Sequence, residues 1–205
     1  MLRLIAISWP TFFDGEAETI NALFESGLSL LHVRKPDASQ DEVERLIRRI
    51  NPEFHDRIAM HYFPELAEKY ELGGYHISAG RPGAPEDWDG RVSVSCHSLD
   101  EAREHLRDAD YVFLSPIFDS ISKSGYQSNF TPEQLASAEL AGYGKKVFAL
   151  GGVTPERMHE VQDYGFGGVA VLGGLWKSLR RDDIMKSYWN YLNWEKVTED
   201  SLALC

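Results

Sequence analysis

Short apolar runs alternate with stretches of helical spacing along almost the whole chain. Residues 2–8 and 28–34 each read as a strand, and between them Ala17, Ile20, Leu23 and Phe24 recur at helical intervals before Gly27 closes the segment. Ser39-Gln-Asp-Glu42 is a capping box, in which the serine and the glutamate each satisfy an orphan N–H at a helix start. Val43, Leu46, Ile47 and Ile50 then mark one buried helical face. Residues 57–61, 74–78, 91–95 and 110–114 read as four further strands, and Pro64 suits the first turn of the helix after the third. Ser98-Leu-Asp-Glu101 and Thr131-Pro-Glu-Gln134 are two more capping boxes, with Leu99, Ala102 and Leu106 on one face after the first.

Two later runs differ from the rest. Val147-Phe-Ala-Leu and Gly168-Val-Ala-Val-Leu lack polar alternation, which suits parallel strands buried on both faces, and each ends in a Gly-Gly pair. Thr154-Pro155 starts the helix between them, with Met158 and Val161 inward. Ile184, Tyr188, Tyr191 and Leu192 mark a last helix, and a loosely packed tail is expected from about Glu195. Eight βα units over residues 1–194 predict a single α/β domain, a (β/α)8 TIM barrel, with 195–205 as the tail. The alternative is an open doubly wound sheet, which the absence of G-x-G-x-x-G after the first strand weakens.

Composition narrows the partners. The formal net charge of −11, from 32 acidic against 21 basic side chains, repels a nucleic-acid backbone but permits a small phosphorylated ligand held by local donors. No apolar run approaches the ~20 residues of a membrane span. The N-terminus is too short and polar-broken for a signal peptide, and the two cysteines, Cys96 and Cys205, make no metal motif. Together these features predict a cytoplasmic protein with small-molecule partners, and homo-oligomerisation stays open.

In a barrel, functional side chains gather at the C-terminal ends of the strands. Those ends carry His32 and Arg34, His61, His76, Ser95 with Cys96 and His97, and Ser115. Four of the seven histidines thus fall at successive strand ends. No H-x-H or H-E-x-x-H spacing assigns them to a metal. After the sixth strand, Ser120, Ser122 and Lys123 offer two hydroxyls and an ammonium to phosphate oxygens. Gly151, Gly152, Leu172, Gly173 and Gly174 complete the ring, since paired glycines let backbone N–H groups approach an anion closely.

These residues resemble a known family, the thiamine phosphate synthases and the related TenI-type thiazole tautomerases. Leu31-His-Val-Arg34 is similar to the family's Q-L-R segment, Gly74-Tyr-His-Ile to G-V-H-L, and Val94-Ser-Cys-His-Ser98 to V-S-T-H-S. Ser115-Pro-Ile-Phe-Asp-Ser-Ile-Ser-Lys123 resembles G-P-I-F-x-T-x-T-K, and Ala149-Leu-Gly-Gly-Val153 resembles A-I-G-G-I. The resemblance implies that a pyrimidine methyl diphosphate loses diphosphate to give a stabilised cation, which the nitrogen of a carboxylated or plain thiazole phosphate then attacks. It further implies that Arg34, Ser95 and Lys123 neutralise the leaving diphosphate; from this chain's own residues, Lys35 is added as a substrate-binding candidate and His61 as a catalytic one. Ser120 and Ser122 would bond phosphate oxygens, and the glycine pairs would hold the thiazole phosphate.

The departures from the family pattern are specific. The family's second basic residue after the arginine is Pro36 here, with Lys35 one place early. The Asn-Asp pair whose aspartate binds Mg²⁺ becomes His61-Tyr62, and the second Mg²⁺ aspartate becomes Arg81. Mg²⁺ therefore lacks its usual ligands. The tautomerases' acid/base histidine is Pro116. Two alternatives to the synthase follow: a thiazole tautomerase using His32, His61, His76 or His97, and a silent regulatory barrel binding thiazole or thiamine phosphate.

Overall fold

Strands this apolar have no wet face to offer, and they meet that constraint by closing on one another. A computed structural model describes residues 2–78, 83–119 and 128–195. Its strands are β1 (Arg3–Ile7), β2 (Leu30–Val33), β3 (Ile58–Met60), β4 (Gly74–Ile77), β5 (Arg91–Cys96), β6 (Tyr111–Leu114), β7 (Val147–Leu150) and β8 (Gly168–Val171). They form a closed parallel barrel in sequence order, sealed where Ile5 of β1 pairs with Ala170 of β8. The expected (β/α)8 architecture is the one observed. Trp176 reinforces the seam by donating its indole N–H to the Ile7 carbonyl at 2.7 Å.

The helices are α1 (Glu16–Glu25), α2 (Gln40–Ile47), α3 (Pro64–Lys69), α4 (Leu99–His105), α5 (Pro132–Ser137), α6 (Met158–Asp163) and α7 (Arg181–Leu192). Among the described residues none joins β4 to β5. The capping boxes at Ser39 and Thr131 form in full. At Ser98 only half forms: the hydroxyl takes the Glu101 N–H, but the Glu101 carboxylate takes the His97 N–H at 2.7 Å. The segment at Thr154-Pro155 opens as a 3₁₀ turn, Pro155–Arg157, and becomes α-helical only at Met158.

Side chains alternate across each strand, which makes two cores from one sheet. Leu4, Ala6, Leu31, Val33, Ile58, Met60, Val112 and Leu114 face the helices. Ile5, Ile7, Tyr111, Phe113, Phe148 and Ala170 fill the lumen. His32, His76 and Ser93 are also fully buried, and they share the inward phase on β2, β4 and β5. Half of the lumen is therefore apolar and half is built from imidazoles and hydroxyls. Residues 196–205, where the loose tail is expected, lie outside the described residues.

Candidate functional site

The two glycine pairs stand at the C-terminal mouth of the barrel, where their sequence context places them. Gly151 and Gly152 adopt φ of 93° and 66°, a left-handed backbone that side chains resist. A Cβ on Gly152 would come within 2.6 Å of the Phe118 and Asp119 carbonyl oxygens, so the β7 loop can nest against the β6 loop only with glycine there. Tyr191 of α7 ties this arrangement to β8. Its phenol donates to the Val153 carbonyl at 2.9 Å and lies 2.1 Å from where a Cβ on Gly174 would stand. Among the described residues, the N–H groups of Gly151, Gly152, Gly173 and Gly174 donate to no backbone carbonyl. Leu172 is partly buried beside them, against the lumen core.

Arg34 lies half-buried at the end of β2. Ser8, which the sequence reading missed, fixes its backbone: the Arg34 N–H donates to the Ser8 hydroxyl at 2.9 Å, and that hydroxyl donates back to the Arg34 carbonyl at 3.2 Å. No described residue pairs with the guanidinium. Its charge is felt by His61 and His76, where it disfavours protonation. Ser95 and Ser115 are partly buried at the ends of β5 and β6. Ser120, Ser122, Lys123 and Arg81 lie outside the described residues. The ends of the loop carrying the first three do meet, because the Ser128 N–H donates to the Asp119 carboxylate at 2.7 Å.

Lys35 corrects an expectation. It was expected to bind substrate phosphate, but its ammonium is wholly buried and donates to the Glu16 carboxylate at 2.6 Å and to the Trp9 and Thr11 carbonyls at 2.8 and 2.9 Å. All three of its protons are thereby used. Burial lowers the Lys35 pKa and raises that of Glu16, with the mutual attraction opposing both. The one-place shift relative to the family's basic residue turns the side chain outward, towards α1.

His97 also stands apart from the other histidines. It is exposed beside Arg103, Asn129 and Gln134 in a groove of about 310 Å³, with Nδ1 3.0 Å from the Ser115 carbonyl. His32 and His76 do not reach the mouth either. They are 0% and 1% exposed, one layer down in the lumen, and both nitrogens of each ring are engaged by the protein. Direct substrate contact, expected of both, is corrected to a supporting place beneath the site. His61 retains 5% exposure and is the member of the group nearest solvent.

The contacts among these groups are short. His32 Nδ1 lies 2.9 Å from His61 Nε2, and His32 Nε2 lies 2.7 Å from the Tyr111 hydroxyl. His76 Nδ1 and Nε2 lie 2.8 Å from the Ser93 and Ser95 hydroxyls. Burial holds His32 and His61 well below the ordinary histidine pKa and His76 at about 3. The three rings are therefore neutral at physiological pH. Burial also pushes the Tyr111 phenol up to about 12, keeping it protonated. Tyr111 and Ser93 escaped the sequence reading. Their signal was present, since each lies two residues before a lumen-facing neighbour, Phe113 and Ser95.

Mg²⁺ does not fit this donor set. It takes oxygen ligands in octahedral geometry, whereas the described cluster that converges closely enough to hold an ion consists of three imidazoles. The donor atoms of His32, His61 and His76 lie within 4.8 Å of one another. However, the His61 and His76 rings are stacked, with centroids 4.2 Å apart and planes 26° apart. A metal bound by imidazole sits close to the ring plane. Two nearly parallel planes do not meet near their nitrogens, so this stack is not a preformed metal site.

Known proteins share both the sequence pattern and the architecture. A family model described as thiamine monophosphate synthase matches residues 4–175. A thiamine-phosphate synthase of Staphylococcus haemolyticus is 24% identical over 186 residues, covering 84% of this chain and 88% of the relative. One of Listeria welshimeri is 32% identical over a shorter stretch, 45% of this chain and 44% of the relative. A thiamine phosphate pyrophosphorylase from Bacteroides thetaiotaomicron superposes with a TM-score of 0.85 at 36% identity, covering 96% of this chain and 98% of that one. A counterpart from Pyrococcus furiosus shares the fold, with a TM-score of 0.73 at 18% identity over 97% and 96% of the two chains.

Proposed function

The chain belongs to the thiamine monophosphate synthase family, and from that premise we propose that it joins hydroxymethylpyrimidine diphosphate to thiazole phosphate with release of diphosphate. The observation that best supports this is the pair of glycine loops, whose N–H groups find no backbone acceptor among the described residues, at the same C-terminal end of the barrel strands as Arg34, whose guanidinium has no described partner. N–H groups on close-approaching glycines suit a phosphate, and each charge-assisted bond contributes about 1.5–3 kcal/mol. On this reading the glycine loops hold the thiazole phosphate. Arg34, Ser95, Ser115, Ser120, Ser122 and Lys123 receive the diphosphate.

The C–O bond to diphosphate breaks with its electron pair leaving on oxygen, and the pyrimidine methylene becomes a cation. The thiazole nitrogen then gives its lone pair to that carbon. Arg34 stabilises the charge that builds on the departing oxygens, which is where preorganised donors act most strongly. No step is assigned to Mg²⁺, because the described residues do not fit it.

The test is to incubate the protein with both substrates, with and without Mg²⁺, and to follow thiamine phosphate by chromatography. Product should form, and Arg34→Ala and Gly152→Ala should each abolish it. Thiazole phosphate that binds equally well to Gly152→Ala would sink the phosphate assignment. A second reading, the thiazole tautomerase, is supported by His61, a neutral imidazole at the edge of the mouth. Tautomerisation without thiamine phosphate formation would favour it. Binding of thiazole phosphate with neither activity would leave a regulatory barrel.

A further inference from the structure

β1 and β2 separate where the barrel mouth begins, and one hydroxyl spans the gap. Their regular pairing runs to Ile7 and His32, and Ser8 adds one bond beyond it, from its N–H to the His32 carbonyl at 2.9 Å. A parallel ladder would continue from the Arg34 N–H to the Ser8 carbonyl. Here the Ser8 side chain takes that place. Its hydroxyl accepts the Arg34 N–H at 2.9 Å and donates to the Arg34 carbonyl at 3.2 Å. The backbone of β1 is thereby free to leave the sheet. It does so through Trp9 and Pro10, and Pro10 has no N–H for a strand to use.

The hydroxyl is itself firmly placed. Ser8 is wholly buried, and the Ile7–Ser8 peptide is bonded on both sides: its carbonyl accepts the Trp176 indole N–H at 2.7 Å, and its N–H reaches His32. Arg34 has no such support of its own. It lies one residue past the end of β2, half-buried, and no described residue pairs with its guanidinium. The direction in which its side chain sets out is therefore decided by the two peptide planes that flank its Cα. Ser8 holds both, the one before through the N–H and the one after through the carbonyl. At the end of a long side chain a small rotation of those planes becomes a large displacement of charge, and a misplacement of about 1 Å can cost a hundredfold in rate.

We infer that Ser8 is the positioning residue for Arg34: by clamping both peptide planes around its Cα, the hydroxyl aims the guanidinium at the diphosphate group of the substrate. The inference rests on the assignment of Arg34 to the diphosphate made above.

The experiment measures binding of inorganic diphosphate to the intact protein by calorimetry, in wild type, Ser8→Ala, Arg34→Ala and the double variant. Each single variant should weaken binding by about tenfold or more. The double variant should bind no more weakly than Arg34→Ala, because a residue that acts through another then has nothing left to lose. In turnover by Ser8→Ala, KM should rise for the pyrimidine diphosphate and stay within about twofold of wild type for thiazole phosphate. Additive losses, equal rises in both KM values, or a loss of diphosphate affinity in Lys35→Ala as large as in Ser8→Ala would mean a general loosening of the mouth and overturn the inference.

A further readout needs no ligand. Hydrogen exchange at the Arg34 N–H should quicken in Ser8→Ala or, where that protein does not fold, in Ser8→Cys, whose thiol is a weaker partner. An Arg34 N–H as protected as in wild type overturns the clamp. Should Arg34→Ala bind diphosphate unchanged, the assignment of Arg34 fails and takes the inference with it. Weakened binding in Arg34→Ala but not in Ser8→Ala sinks the inference alone.

Discussion

At the scale of single residues, the deciding quantity is how many protons or lone pairs each buried group has left to offer. Lys35 has none, since Glu16, Trp9 and Thr11 take all three. Removing it strands the Glu16 carboxylate, one oxygen of which is already buried without a partner. Lys35→Ala should therefore cost about 3–5 kcal/mol of stability in urea unfolding. In the protein that remains folded, anion affinity by calorimetry should stay close to wild type. A Lys35→Ala protein of full stability that no longer binds phosphate would restore the lysine to the site. The sequence could not reveal this. Neighbours in the chain look alike on paper, but a one-residue shift on a strand reverses the face, and Arg34 and Lys35 consequently have opposite roles.

At the scale of elements, strands and helices were legible because their signals are local. Capping boxes at Ser39 and Thr131, apolar runs, and helical stripes such as Val43, Leu46 and Ile47 depend on near neighbours alone. The failures are choices between local partners and contacts between elements. Glu101 serves His97 rather than Ser98, and Tyr191 reads as an ordinary core residue of α7 although its hydroxyl grips the β7 loop. Tyr191→Phe tests that grip. It removes the bond to the Val153 carbonyl, a loss of about 1 kcal/mol by thermal or urea unfolding. Because Val153 directly follows Gly151-Gly152, thiazole phosphate affinity should fall as well. Unchanged affinity with lowered stability would make the tyrosine a packing residue only.

At the scale of the whole molecule, the half-polar lumen makes the barrel sensitive to acid. The unfolded chain has histidines that titrate near pH 6.5, whereas in the folded barrel His32 and His61 lie well below that and His76 at about 3. The folded state thus binds fewer protons, and unfolding takes them up as the pH falls. The stability from this source is complete above pH 6.5 and is lost progressively between about 6.5 and 3, at up to ~1.4 kcal/mol per pH unit for each ring. Urea midpoints should fall steeply across that window, and His76→Gln should flatten the slope. A wild-type profile that is level from pH 7 to pH 5 would contradict the buried, neutral cluster. The sequence placed these histidines at strand ends. Only the register of β2 against β3 and of β4 against β5 shows them beneath the mouth instead.

The seam between β1 and β8 has a consequence for the chain as it is made. Of the barrel's strands β1 leaves the ribosome first, yet its outer edge has no partner until Gly168–Val171 arrives, and Trp176 then pins the Ile7 carbonyl. Until that moment the nascent barrel carries an open strand edge, the feature most prone to pairing with other chains. Gly173 and Gly174 lie between the closing strand and the pinning tryptophan. The segment that ends the period of exposure therefore also delivers the last loop of the proposed anion cradle, so on that reading a nascent chain acquires ligand affinity only once it has ceased to be sticky. Ligand capture by ribosome-bound chains of increasing length would consequently report barrel closure itself.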